Sequence, residues 1–273
     1  MTRRIGFGAA LLCCAFMIGA AAGAFAVVRG TGNRIQVFGS GDAVSVLITA
    51  GQSQLLIVTG NDRTAFGNAI DRATRGPGNA PDILVVAGTG DLLAAPASAL
   101  ELFEPNGRYA VHPIDSSDVD EPRLSSLDSL PANPVRLTLA DQVAVTIESK
   151  PVPGDDDTYA WRATVTHLST HVAVVSEGAH MSLFDWSMPV SALVVAGNDF
   201  GSLAEVGGAQ VLVGAASVLD PNDADVQEWG TGSSTPLRIV PVRPGDIATL
   251  TFEIGGLDLT SDDRITSITP TPK

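Results

Sequence analysis

The chain has 273 residues, 45% of them hydrophobic, a formal net charge of −14 and two cysteines. That length and apolar content support one sizeable domain or two small ones and exclude wholesale disorder. The acidity argues against binding nucleic acid through charge.

The N-terminus is the one basic region. Met1-Thr2-Arg3-Arg4 precedes Ile5 to Val28, which carries no charge. As a helix this stretch would span about 36 Å, enough to cross a bilayer. The arginines should stay cytoplasmic, so the rest of the chain should face outward. Ala24-Phe25-Ala26 also fits a small-x-small cleavage site. Residues 1–30 are thus read as a signal anchor, with a cleaved signal peptide ending near Ala26 as the alternative. Leu11-Leu12-Cys13-Cys14 is a poor lipoprotein box, since a small residue is wanted where Cys13 stands. Arg3-Arg4 lacks the downstream pattern of a twin-arginine signal. Both cysteines lie in this segment, so the exported part can hold no disulfide, thiolate metal site or cysteine nucleophile.

Beyond it, a glycine-rich turn at 39–42 leads into Ala43–Thr49, which alternates like a half-buried strand. With Gln54–Val58 it makes a hairpin. Phe66, Ala69, Ile70 and Ala73 have helical spacing, and Gly76-Pro77-Gly78 ends that helix. Asp82–Val86 is a short β-branched strand, and Ala94–Phe103 a second helix. Residues 104–134 hold five prolines and read as a long surface connection, with a strand near Tyr109. Hairpins are expected at 135–148 and 159–176, separated by a solvated turn over Pro151–Asp157. Ala192–Val195, Gln210–Gly214, Leu237–Val240 and Ile247–Ile254 are further strands, and Leu203–Val206 starts a small helix. From Thr260 the chain is polar and expected to fray. The two halves share an order of hairpin, apolar strand and helix, which fits two packed sheets with helices outside.

Several motifs resemble those of the metallo-β-lactamase superfamily. Phe38-Gly39-Ser40-Gly41-Asp42-Ala43 is similar to Val-Gly-Gln-Gly-Asp-Ala, and Leu55 to Gly60 to Leu-Leu-Ile-Asp-Thr-Gly. Val135 to Ile147 matches a pair of short strands, Tyr159 to Gly178 a hairpin ending in Leu-Thr-Gly-Asp, and Leu193 to Ser202 a Leu-Lys-Val-Gly-His-His-Gly-Ser segment. Within the superfamily they most resemble the branch with the C-terminal domain of the competence DNA-uptake channel protein. The resemblance covers roughly residues 35–258. It implies an α/β fold, a four-layer αββα sandwich after the N-terminal apolar helix, with a metallo-β-lactamase-like domain at 31–258 and a polar tail at 259–273.

The same resemblance places metal ligands where this chain lacks them. Ala87 stands for Thr, Gly88 and Gly90 for two His, and Leu92-Leu93 for Asp-His. Val58 replaces an Asp, the bridging Asp falls at Glu177 or Gly178, a His pair falls within Asn198–Phe200, and a final His becomes Asp220. Glycine has no donor atom and leucine is apolar, so no dinuclear site is expected. No catalytic, cofactor-binding or metal residue is assigned. The expected function is binding or scaffolding at the cell envelope, with membrane attachment through the N-terminal helix, an unidentified envelope partner or ligand, and no nucleic acid. The alternative is a diverged metal-dependent hydrolase whose site is rebuilt from Asp91, Asp199 and Glu177.

Other candidates weigh less. His167 and His171 fall on two strands across a tight turn and read as structural, and His112 and His180 have no companion cluster. Asp155-Asp156-Asp157 reads as a soluble hairpin tip. Asp220, Asp223, Asp225 and Glu228 lack the calcium-loop glycine. Ser40, Ser176 and Ser202 lack the nucleophile-elbow context. Trp161, Trp186 and Trp229 read as packing, although joint exposure of Phe184, Trp186 and Met188 would mark a partner surface.

Overall fold

The computed structural model describes residues 32–40, 42–60, 63–74, 80–87, 105–111, 127–130, 132–140, 142–197, 200, 209–222, 224, 226–227, 236–262 and 265–268. The expected N-terminal helix, the helix at 94–103 and the small helix at 203–206 lie outside them. Among the described residues no helix is long and apolar enough to cross a membrane.

Residues 33–273 form one compact unit. Its first sheet comprises β1 (Arg34–Ser40), β2 (Ala43–Ala50), β3 (Ser53–Val58), β4 (Ile83–Val86), β5 (Gly107–Ala110) and β6 (Asp128–Ser129), with β14 (Ile247–Glu253) and β15 (Gly256–Ser261). The order is β15-β14-β1-β2-β3-β4-β5-β6. The second sheet comprises β7 (Val135–Thr138), β8 (Val143–Val152), β9 (Asp155–His167), β10 (Thr170–Val175), β11 (Ala192–Val195), β12 (Val211–Ala215), β13 (Leu237–Val242) and β16 (Thr266–Ile268). Its order is β16-β13-β12-β11-β10-β9-β8-β7. Each sheet joins an antiparallel block of hairpins to a parallel block, β3 to β6 in one and β10 to β13 in the other.

Alternation along the strands explains the layers. Ile35, Val37, Val44, Val46, Ile48 and Leu55 of the first sheet share one apolar cluster with Val145, Val165, Val172, Val194, Val213 and Val240 of the second. The sheets therefore pack face to face. Fully burying each such side chain contributes roughly 1.5–3 kcal/mol. The opposite face of the first sheet presents Phe38, Leu47, Leu56, Val58, Leu84 and Val86 to helix α1 (Arg63–Thr74). Ala69, Ile70 and Ala73 point inward while Gly67, Asn68 and Asp71 are exposed, the apolar stripe of a surface helix. The outer face of the second sheet is covered by Met181 of a 3₁₀ turn (Gly178–Leu183) and by Val190, Phe200, Leu219 and Val226.

The expected two packed sheets are present, and strand rather than helix dominates the described residues. Three local expectations need correction. All eight residues of β2 are buried, because both faces of this central strand are covered. The turn expected over 151–157 shrinks to Pro153-Gly154, since the β8–β9 ladder continues to Pro151 opposite Tyr159 with a register shift beyond it. Pro151 fits because β7 ends before reaching it, so no ladder hydrogen bond is lost on that side of β8. The tail expected to fray from Thr260 instead completes β15 and supplies β16, which pairs with β13.

Candidate functional site

The C-terminal ends of the two parallel blocks meet at one edge of the sandwich. Val44 N at the start of β2 donates to Ala196 O just beyond β11, at 3.0 Å. Thr59, just after β3, donates from Oγ1 to Val44 O at 2.5 Å, and its N–H donates to Ser45 Oγ at 3.3 Å. Gly39 bridges to Pro244 after β13. Thr59, Ala196 and the 243–245 turn are thus tied to one short stretch of β1–β2. In open parallel sheets this is the side where ligands bind.

The structure brings several of the resemblance-derived positions to this edge. Gly178, which opens the 3₁₀ turn after β10, lies against Phe200. A Cβ built on Gly178 would sit 1.7 Å from Phe200 O. The Phe200 ring is buried and fills the space over Gly214, where a Cβ would lie 2.5 Å from Cζ. Ala87 joins the core between the sheets. Val58 faces α1 instead of the edge. Asp220 is exposed, and its Oδ1 accepts from Asn222 N and Nδ2, which caps a local turn. Gly88, Gly90, Asp91, Leu92, Leu93, Asn198 and Asp199 lie outside the described residues.

Glu177 is half-buried beside Gly197, and its Oε2 lies 3.8 Å from His180 Nδ1. His167 and His171 are not neighbours in space. Register places His167 opposite Thr170 and His171 opposite Thr166, so the two imidazoles take opposite faces of the sheet. His167 packs on the Phe252 ring at 5.4 Å, and His171 Nδ1 bonds Thr166 Oγ1 at 3.1 Å. Among the described residues, no three His, Cys, Asp or Glu side chains group as a metal site.

The exposed Phe184–Trp186–Met188 surface does not form. Phe184 is buried, Trp186 half-buried, and Met188 alone is well exposed. Arg162 explains this. Its guanidinium lies 5.2 Å from the Phe184 ring centroid and 4.8 Å from that of Trp186. It donates to Glu148 Oε1 from Nε at 2.7 Å, with Nη2 also paired to that oxygen, and to Asp185 O from Nη1 at 2.6 Å. Trp186 Nε1 donates to Met181 O at 2.8 Å. The sequence reading missed this cluster. Its only signal is the pairing of Arg162 and Glu148 across the β8–β9 hairpin.

A second opening lies on the helix side of the first sheet. A cleft of about 270 Å³ separates α1 from β1, β2 and the β13–β14 turn. Phe38, Ser45, Ala69, Asp71 and Arg72 are among its lining residues. The polar Ser45, alone in the apolar run 43–48, is the sequence signal that marks it.

No protein-family model matches the chain, and no curated protein matches it. The chain is similar to solved proteins of metallo-β-lactamase fold. The metallo-β-lactamase fold protein YhfI from Bacillus subtilis is 12% identical, with 66% of this chain and 85% of that one covered and a TM-score of 0.46. The subclass B3 metallo-β-lactamase BJP-1 of Bradyrhizobium japonicum is 14% identical, with 61% and 75% covered and a TM-score of 0.39. MEM-A1, a subclass B3 enzyme from a soil metagenome library, is 14% identical, with 67% and 76% covered and a TM-score of 0.40. These figures describe a distant likeness of fold and carry nothing about activity.

Proposed function

We propose that residues 31–258 are a degenerate, non-catalytic member of the metallo-β-lactamase superfamily, built as its four-layer αββα sandwich. The domain binds or scaffolds at the outer face of the cell envelope, attached or exported by residues 1–30. The observation that supports the reading is the Gly178–Phe200 contact. A metallohydrolase needs side-chain donors converging on its metal and an open coordination position. Here Gly178, one of the two residues the resemblance offers for the bridging ligand, has no side chain and no room for one, and the ring of Phe200, from the segment of the expected His pair, packs over Gly214.

The test is metal analysis of the purified protein after incubation with zinc, manganese or iron(II) and dialysis. The expected content is far below one ion per chain. One or more ions retained per chain would overturn the non-catalytic reading. Topology is tested separately, by protease accessibility of the domain in intact cells.

A second reading is a diverged hydrolase whose rebuilt site uses Glu177 with Asp91 and Asp199. Its support is the position of Glu177 at the converging edge with His180 at 3.8 Å. Under that reading a metal is retained, and Glu177→Gln removes it.

A further inference from the structure

We propose that the end of the sandwich formed by the β9–β10 and β14–β15 turns rests on a zwitterionic lipid bilayer, with Leu168 and Ile254 inserted among the headgroups. The inference rests on the reading that residues 1–30 attach the chain to a membrane. It adds which face of the domain meets the lipid.

Leu168 and Ile254 each take the first position of a two-residue turn, closed by His167 opposite Thr170 and by Glu253 opposite Gly256. Tight hairpin turns favour Asn, Asp or Gly. Leu168 is instead 60% exposed and strained at φ +54°, and Ile254 is fully exposed. Among the described residues, Met188 and Ile265 are the only other large apolar side chains left exposed. The two tips belong to different sheets, yet one contact holds them together. His167, one residue before Leu168, packs on Phe252, two residues before Ile254, with ring centroids 5.4 Å apart. In water neither tip gains any burial. An apolar phase at this end supplies the burial that offsets the strain at Leu168.

The chain also enters the domain here. Arg34 pairs with Thr251, and Asn33 O accepts the Phe252 N–H at 2.9 Å. Only residues 29–32 separate Asn33 from the uncharged run that ends at Val28. Five residue steps span at most about 18 Å when fully extended. A bilayer that holds residues 5–28 therefore keeps the Asn33 end of the domain near its surface. Strand β9 has 13 residues, so the Pro153-Gly154 turn at its other end stands about 40 Å away from Leu168. With the domain tethered this closely, shallow insertion of two side chains is enough to orient it. Glu253 and Asp258, exposed beside the Ile254 tip, offer no attraction to anionic headgroups, so the matching surface is zwitterionic.

The test uses the full chain carrying Cys13→Ser and Cys14→Ser, so that one introduced cysteine can take a fluorophore. Ser169→Cys places it beside Leu168, and Pro153→Cys places it on the far turn. Each protein is reconstituted in phosphatidylcholine vesicles containing a lipid with a quencher high on its acyl chain. The label at 169 should be quenched and the label at 153 should not. Leu168→Asn with Ile254→Ser, both on exposed turns and compatible with the fold, should cut the quenching at 169 at least about threefold. Flotation separates this proposal from the attachment it rests on. A chain that does not float with the vesicles overturns both. A chain that floats with the 169 label unquenched, with both labels quenched equally, or with quenching unchanged in the double variant keeps the attachment and overturns the proposal. A shift of the 169 label that grows with protein concentration without vesicles identifies a second copy as the occupant, and overturns it as well.

Discussion

Gly178 and Phe200 touch backbone to backbone: a Cβ on Gly178 would lie 1.7 Å from Phe200 O. No rotamer relieves that contact, because both partners are main chain. Gly178→Ala should therefore force apart the start of the 3₁₀ turn and Phe200. The expected loss is about 3 kcal/mol or more, the upper range for overpacking a core. Urea denaturation of wild type and variant measures it. Gly178→Asp should lose at least as much and should not recruit metal. A stable, metal-binding Gly178→Asp protein would contradict the closed edge.

Arg162 is the second test. It lies between two aromatic rings and shares Glu148 Oε1 through two nitrogens, with side chains only 14% and 18% exposed. Truncation leaves the shielded Glu148 carboxylate without its partner. Arg162→Ala should destabilise the fold by about 3 kcal/mol. Arg162→Lys should recover only part of this, since an ammonium cannot fork or stack as guanidinium does. Thermal unfolding of the three proteins checks the order.

Thr49 gives a gain instead of a loss. It is 5% exposed, and its Oγ1 has no hydrogen-bond partner among the described residues. Arg34 Nε and Gln54 Oε1, its neighbours across the sheet, are equally orphaned. Valine keeps the shape and removes the unmet hydroxyl. Thr49→Val should stabilise by about 1 kcal/mol, seen as a higher urea midpoint at unchanged slope.

Leu168 closes the β9–β10 hairpin at φ +54° and is 60% exposed. A branched apolar residue is strained there, and its exposed side chain gains no burial in return. Asparagine tolerates the left-handed region and suits a two-residue turn. Leu168→Asn should raise stability by roughly 0.5–1 kcal/mol, measured by chemical denaturation.

Much of the strand order was legible because β-branched runs such as Ile83–Val86 and Ala192–Val195 leave little choice of structure. The β9–β10 turn was legible for the same reason of alternation on either side of it. Pro151 and the acidic 155–157 stretch misled, since proline and charge read locally as a turn. What made them strand was the long β8–β9 ladder, which depends on partners rather than on composition. The β15 and β16 strands were missed likewise. Edge strands bury one face at most, so Thr260 and Thr266 give no apolar pattern to read.

By itself, the sequence determined the apolar segments, their alternation and the absence of ligating side chains at Val58 and Gly178. Those follow from residue type alone. Which of these positions meet, and what fills the space between them, was decided only in three dimensions. Register set His167 and His171 on opposite faces, packing drew Arg162 between Phe184 and Trp186, and the converging strand ends pressed Gly178 onto Phe200. Contacts between residues far apart in the chain depend on how two sheets stack, and no local pattern encodes that distance.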